Sequence, residues 1–234
     1  MDLQKAVQTD GTEASLLEKK IHRRKFFKFS SVAVASAAFI ASCDKDDDDD
    51  GVNLGSGDVG ILNYAYALEQ LEAAFYTQVV LTPYSGISTL ETEYLRDIRD
   101  HEIAHREFFK AAIAGVGTPI QDLEVDFSSI TFTSRTSVLD TAKAFEDLGV
   151  SAYNGAGKLL TSAVYLGLAG KIVSVEARHA AIIRDLITPG GTAFADSEVV
   201  KDMGLDVART PPEVLEIARK FLKTKINANN LPTS

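Results

Sequence analysis

The chain has 234 residues, 24 of them Lys or Arg and 33 Asp or Glu, for a formal charge of −9. With 45% apolar and 24% charged residues, the composition suits one medium-sized globular domain plus extra segments, not a disordered chain. The acidic balance disfavours nucleic acid as a partner, and the single Cys excludes an intramolecular disulfide framework and any Cys-rich zinc or iron–sulfur site.

Residues 1–42 carry seven Lys or Arg against four acids, and the rest of the chain 17 against 29. The stretch HRRKFFK at 22–28 leads into an apolar run at 32–41, the layout of an export signal. It resembles a twin-arginine signal with Arg23 and Arg24 as the pair. The run is about half the roughly 20 residues that a membrane-spanning helix needs. It ends in IASC, which resembles a lipobox with Cys43 as the lipidated first residue of the mature protein. Acyl chains there contribute about 0.8 kcal/mol per buried methylene, so several anchor firmly. Asp44, Lys45 and five consecutive Asp at 46–50 follow. Such a like-charge block is expected to repel itself and stay extended, which makes 43–57 a tether. CDK followed by acids resembles the surface-export signal of lipoproteins in some Gram-negative bacteria. The expectation is an exported protein, lipid-anchored in the periplasm or on the outer membrane or cell surface.

Helical periodicity begins at 58, with Ile61, Leu62, Ala65, Leu68, Leu71 and Phe75 on one face, Asp58 placed as N-cap and Pro83 beyond the end. A second helix is predicted over 88–114, stopped by Gly115 and Gly117. Residues 115–135, with Pro119 and alternating Val125, Phe127, Ile130 and Phe132, read as a long crossover or a short extended segment. A third helix is expected over 136–160 and a fourth over 165–188, closed by Pro189-Gly190-Gly191. A last helix starts at Thr210, which forms a capping-box pattern with Glu213 and has Pro211 at the first helical position. Arg219, Lys220 and Lys223 near its end are expected to offset the helix dipole. Two helical pairs joined by some twenty residues predict an all-α four-helix bundle at 58–188 with one long crossover, in the ferritin-like arrangement. Residues 189–234 form a C-terminal helical appendage.

Three His follow Cys43, and two of them sit three residues after a Glu, in Glu102-Ile103-Ala104-His105 and Glu176-Ala177-Arg178-His179. Three apart on a helix is one face, so each carboxylate and imidazole can approach the same ion. The first and third helices each add a Glu followed seven residues later by a Tyr, Glu69 with Tyr76 and Glu146 with Tyr153. Glu72, one turn from Glu69 on nearly the same face, is the alternative ligand; the Tyr spacing favours Glu69. Asp147 and His101 point away from their Glu neighbours and are expected at the surface or behind the ligands. Four carboxylates and two imidazoles suit iron or manganese better than copper or structural zinc, and the carboxylates balance two divalent ions.

Glu69, Glu102-x-x-His105, Glu146 and Glu176-x-x-His179 resemble the di-iron carboxylate pattern of the ferritin-like superfamily. LEQLEAAFY, DHEIAHREFF, LGVSAYNGAG, SVEARHAAIIR and the PPEVLEIARKFL tail are similar to the ferritin-like domain family that includes desiccation-related proteins, over about 58–225. The resemblance implies two iron ions, alternatively manganese, and redox chemistry with O2 or peroxide such as Fe(II) oxidation or peroxide removal. Tyr76 and Tyr153 would hydrogen-bond a ligand Glu, supply an electron, or simply pack in the core. A manganese catalase-like enzyme and a non-catalytic, stress-related binding or structural protein are the alternatives. Twin-arginine export, which carries folded proteins, would allow metal loading before transport. The apolar helix faces are compatible with a homodimer.

Overall fold

The computed structural model describes residues 51–233; the predicted export signal, Cys43 and the Asp run therefore lie outside the described residues. Each of the four long helices begins just after a Ser, a residue whose hydroxyl can satisfy one of the free N–H groups of a first turn. Helix α1 is Gly57–Leu81, α2 Thr89–Ala114, α3 Arg135–Gly157 and α4 Ala163–Ile187. Ser88 accepts from Glu91 N while the Glu91 carboxylate accepts from Ser88 N, a complete capping box. Ser134 and Ser162 accept from the N–H groups of Ser137 and Tyr165. The boundaries match the expected four helices within about three residues.

Asp58 is not the N-cap that its position suggested; Ser56 holds that place. Its carboxylate instead reaches to the start of α4, accepting from Thr161 N at 2.8 Å, Ser162 N at 2.9 Å and the Thr161 hydroxyl. Partial burial works against the charge, but these donors hold the carboxyl below its ordinary 3.8. The stabilisation is therefore present above pH 3.8 and is lost as pH falls through the lower, folded-state value. Asp58→Ala is expected to cost about 1–2 kcal/mol, read as a lowered urea midpoint at pH 7 that converges on wild type in strong acid.

The hairpins α1–α2 and α3–α4 are the most closely packed pairs, as short links between helices dictate. Sequence periodicity gave α1 one apolar face, yet it is buried nearly all round, with most side chains between Gly60 and Tyr76 inside. The reason lies in the segment 115–134, which runs over the remaining side of α1. Two buried amides of α1 secure it: Asn63 bonds Ile120 N and Thr118 O, and Gln70 bonds Leu123 N and Gln121 O. This satisfies backbone groups that a loop without regular structure would leave unpaired. Of the two readings of this stretch, the crossover holds; its only ladder contact among the described residues is a bridge from Val125 to Leu222.

The C-terminal part is built into the core. Helix α5 (Pro211–Ala218) buries Val214 and Ala218, and Phe221 meets Phe145 of α3 edge to face at 4.7 Å. Glu213 accepts from the backbone N–H of Thr210, as the capping pattern predicted, and also from the Thr210 hydroxyl. Arg219 and Lys220 form a 3-10 turn after α5, and Lys223 lies beyond it. Strands β1 (Val52–Asn53) and β2 (Ile226–Asn227) pair in parallel. The buried Arg184 of α4 grips Asp147 of α3 at 2.6 Å and Glu198 at 3.2 Å, so Asp147 is a fastener for the 189–200 segment, away from the cluster. Among the described residues no helix is long and apolar enough to cross a membrane.

Candidate metal centre

All six predicted donors converge. Glu69, Glu102, Glu146 and Glu176 are 0% exposed, and His179 is 4% exposed. Glu69, Glu102, His105 and Glu176 offer donor atoms within 4.8 Å of one another, and so do Glu102, Glu146, Glu176 and His179. Glu102 and Glu176 thus belong to both groups and stand between the other two pairs. The distances repeat across the pair. His105 Nδ1 lies 2.8 Å from Glu176 and 3.5 Å from Glu69 and Glu102. His179 Nδ1 lies 2.8 Å from Glu102, 3.5 Å from Glu146 and 3.4 Å from Glu176.

Among the described residues ten buried side-chain polar atoms lack a hydrogen-bond partner, and eight of them are in this cluster: one oxygen each of Glu69 and Glu146, both of Glu102 and Glu176, and the two Nδ1 atoms. The short His–Glu approaches are not aligned as N–H···O bonds. Each orphaned buried polar atom costs about 1–3 kcal/mol, and isolated buried carboxylates cost more. Eight such atoms aimed at one another fit cations between them, and the four carboxylates match the charge of two divalent ions. The arrangement can hold metal ions.

The oxygens not facing the centre are tied down. Tyr153 of α3 donates to Glu69 of α1, and Tyr76 of α1 donates to Glu146 of α3. The seven-residue spacing places each Tyr on the same face as the Glu of its own helix; in the fold each phenol holds the Glu of the facing helix. Burial, with the partner carboxylate next, drives both phenols well above their ordinary value, so they remain protonated donors.

His101 stands behind His179. Its Nδ1 lies 2.9 Å from His179 Nε2, and the rings stack at 5.2 Å and 9°. Burial, then the His179 and His105 imidazoles, pull His101 below 6.5. It is thus neutral and can accept the His179 Nε2–H, leaving Nδ1 of His179 toward the carboxylates. The sequence hint is its four-residue distance from His105, which puts both imidazoles on one face of α2. Glu72 is buried too but contributes to neither group. Its carboxylate packs toward Gly149, and burial followed by the charges of Glu102 and Glu176 raises it well above 4.5.

Protonation follows from the same crowding. Burial opposes the charged forms of His105 and His179, but the surrounding carboxylates prevail and push both up to about 12. Burial and neighbouring carboxylates raise Glu146 to about 8, although His179 opposes them, and hold Glu69 well above 4.5. For Glu102 burial is outweighed by the two imidazoles, which bring it to about 2. A metal must displace the protons on His105, His179, Glu69 and Glu146, so loading at neutral pH is expected to release up to about four protons per chain and to tighten as pH rises. Titration calorimetry in buffers of different ionisation enthalpy measures this; a heat independent of buffer contradicts it. The raised groups stabilise the metal-free fold at low pH, and Glu146 loses its contribution as pH climbs from 4.5 through about 8.

The ferritin-like domain family model matches residues 57–189, which spans α1 to α4 and all six donors. No curated protein matches the chain.

Proposed function

The chain belongs to the ferritin-like domain family, and on that premise we propose that it is an exported, lipid-anchored protein whose buried cluster holds two iron ions for redox chemistry with O2 or peroxide. The observation that carries this reading is the set of eight orphaned donor atoms, which form two overlapping groups sharing Glu102 and Glu176. Four carboxylates and two imidazoles favour iron or manganese over softer-ligand metals. When bound, two ferrous ions supply one electron each, so that one O2 with two protons becomes hydrogen peroxide, or one peroxide with two protons becomes two waters.

The chain's own residues set the stage for that chemistry. Glu69 with His105, and Glu146 with His179, would each close one end of the pair, and Glu102 and Glu176 would bridge it. Tyr153 and Tyr76 fix the orientation of the end carboxylates through their hydroxyls, each of which also carries a proton within reach of the centre. His101 fixes the ring of His179. The buried rings of Phe75, Phe109 and Phe145, each close in sequence to a donor or its Tyr partner, give the site an apolar surround.

The testing experiment is metal analysis of the purified protein, expressed separately in iron and in manganese, with optical and paramagnetic spectroscopy before and after exposure to O2. Two ions per chain with a magnetically coupled signal are expected; no metal under either condition sinks the reading. The anchor is tested separately, since Cys43→Ser is expected to abolish labelling by radioactive fatty acid and to release the protein from membranes. Arg23 and Arg24 replaced by Lys are expected to block export.

A further inference from the structure

A pocket opens beside the cluster, between the ends of all four long helices. Its walls are Leu62, Ala65 and Leu68 of α1, Phe109 of α2, Ala156 of α3 and Ala169 of α4. Tyr64 and Tyr153 are the only residues of the lining with polar side-chain atoms, and the surface facing the space is almost wholly apolar. The Tyr153 hydroxyl is already committed to Glu69. The Tyr64 hydroxyl, on a residue 1% exposed, has no partner among the described residues. Phe109, one turn beyond His105, lies nearly parallel to the Tyr153 ring at 6.3 Å and 28°, so this ring pair is the partition between pocket and donors.

Size and chemistry restrict what can enter. The space open to the centre of a water-sized molecule is about 20 Å³, room for one or two small molecules. Water needs two to four polar partners to settle in such a site, and apolar cavities of this kind stay dry while accepting xenon. Hydrogen peroxide, with two donors and four lone pairs, is equally unsuited. Dioxygen is apolar, of similar size, and needs no hydrogen bond. We propose that this pocket is the site at which dioxygen is taken up on its way to the cluster, so that the apolar oxidant has an entry that peroxide does not share. The proposal rests on reading the cluster as a redox metal centre.

Xenon serves as the probe for the pocket itself, independently of any metal. In the purified protein, xenon-129 resonance is expected to show a bound signal, with shifts at the methyl groups of Leu62 and Leu68. Ala156→Leu fills the α3 wall and should abolish that signal. Ala169→Leu does the same from the half-buried α4 wall, where added bulk is better tolerated, and Leu160→Ala, at another residue of the lining, should widen the site and strengthen xenon binding. With iron loaded to the wild-type stoichiometry, the filled variants should be oxidised by O2 about tenfold more slowly and by peroxide at an unchanged rate. The proposal is overturned if wild type binds no xenon, if filling leaves the O2 rate unchanged, or if both oxidants slow equally. Wild-type protein that binds no iron, or binds it and reacts with neither oxidant, would instead sink the redox reading and take the dioxygen route with it, whatever xenon does.

Discussion

Glu102→Ala is expected to empty both metal positions at once, whereas Glu69→Ala and His105→Ala each empty one. The distinction follows from membership: Glu102 and Glu176 have oxygens in both donor groups, while Glu69 and His105 serve one group and Glu146 and His179 the other. Loss of a partner that merely orients a ligand already weakens binding about 10–100-fold, so loss of a shared ligand should exceed about 100-fold at each position. The variant should still fold, because the apolar core around the cluster is untouched. In the metal-free state the variant is expected to be less stable than wild type at neutral pH, because His105 and His179 lose the carboxylate that pairs with them. Bound metal, by contrast, stabilises wild type by about 4 kcal/mol per site at a thousandfold excess over Kd. Chelation should therefore lower the Tm of wild type by roughly 15–30 °C and that of Glu102→Ala hardly at all. Metal content by elemental analysis and calorimetric Tm decide the matter; one ion per chain retained in Glu102→Ala would refute the sharing.

Gly155→Ala should be the most damaging small substitution in the body. A Cβ at this position of α3 would stand 1.7 Å from the carbonyl oxygen of Arg209 and 2.5 Å from its carbonyl carbon. Both obstacles are backbone, so the segment leading into α5 has to move. That movement breaks Arg209 N to Ser151 O at 2.9 Å, Arg209 Nη1 to Ser151 Oγ at 2.8 Å and Asn154 Nδ2 to Val207 O at 3.0 Å. Replacing Gly by Ala inside a helix normally gains about 1 kcal/mol. Here overpacking costs about 1–3 kcal/mol and the three hydrogen bonds about 1 kcal/mol each, so the cost wins by about 3–5 kcal/mol. A Tm lowered by roughly 10 °C is expected, with faster protease cleavage near 205–210. Equal stability of the two proteins would show that the segment slides away freely.

Much of this was legible in the sequence because helix-borne chemistry is local. Glu102 with His105 and Glu176 with His179 need only a three-residue spacing to share a face, and the capping residues and glycines mark where the faces begin and end. Tertiary pairing left weaker traces. That Tyr153 belongs to Glu69 and Tyr76 to Glu146 depends on how α1 and α3 cross, which no spacing within one helix encodes. Asp58 illustrates the same limit: an acid near a helix start reads as a cap, yet its oxygens serve the start of another helix some hundred residues away. Glu72 and Glu69 differ by less than one turn, and contacts from other helices separate them: Tyr153 and His105 meet Glu69, while Glu72 packs toward Gly149. The C-terminal helical appendage was legible from its capping box, but not which of its apolar residues reach the core: Val214, Ala218, Phe221 and Leu231 do, whereas Phe194, Met203 and Leu205 stay exposed.

The two-residue parallel ladder between Val52 and Ile226 links positions 174 apart in the chain. At about 5–20 residues per second of synthesis, the partner of Val52 emerges roughly 10–35 s after Val52 itself. Helices α1 and α2 can pair long before then, since their contacts are near in sequence, whereas the edge that precedes them must wait. The Gly51 turn, pressed against the Lys225 backbone, waits with it. The first-made stretch of the body is therefore among the last to find its place, and the order in which the body is made is not the order in which it closes.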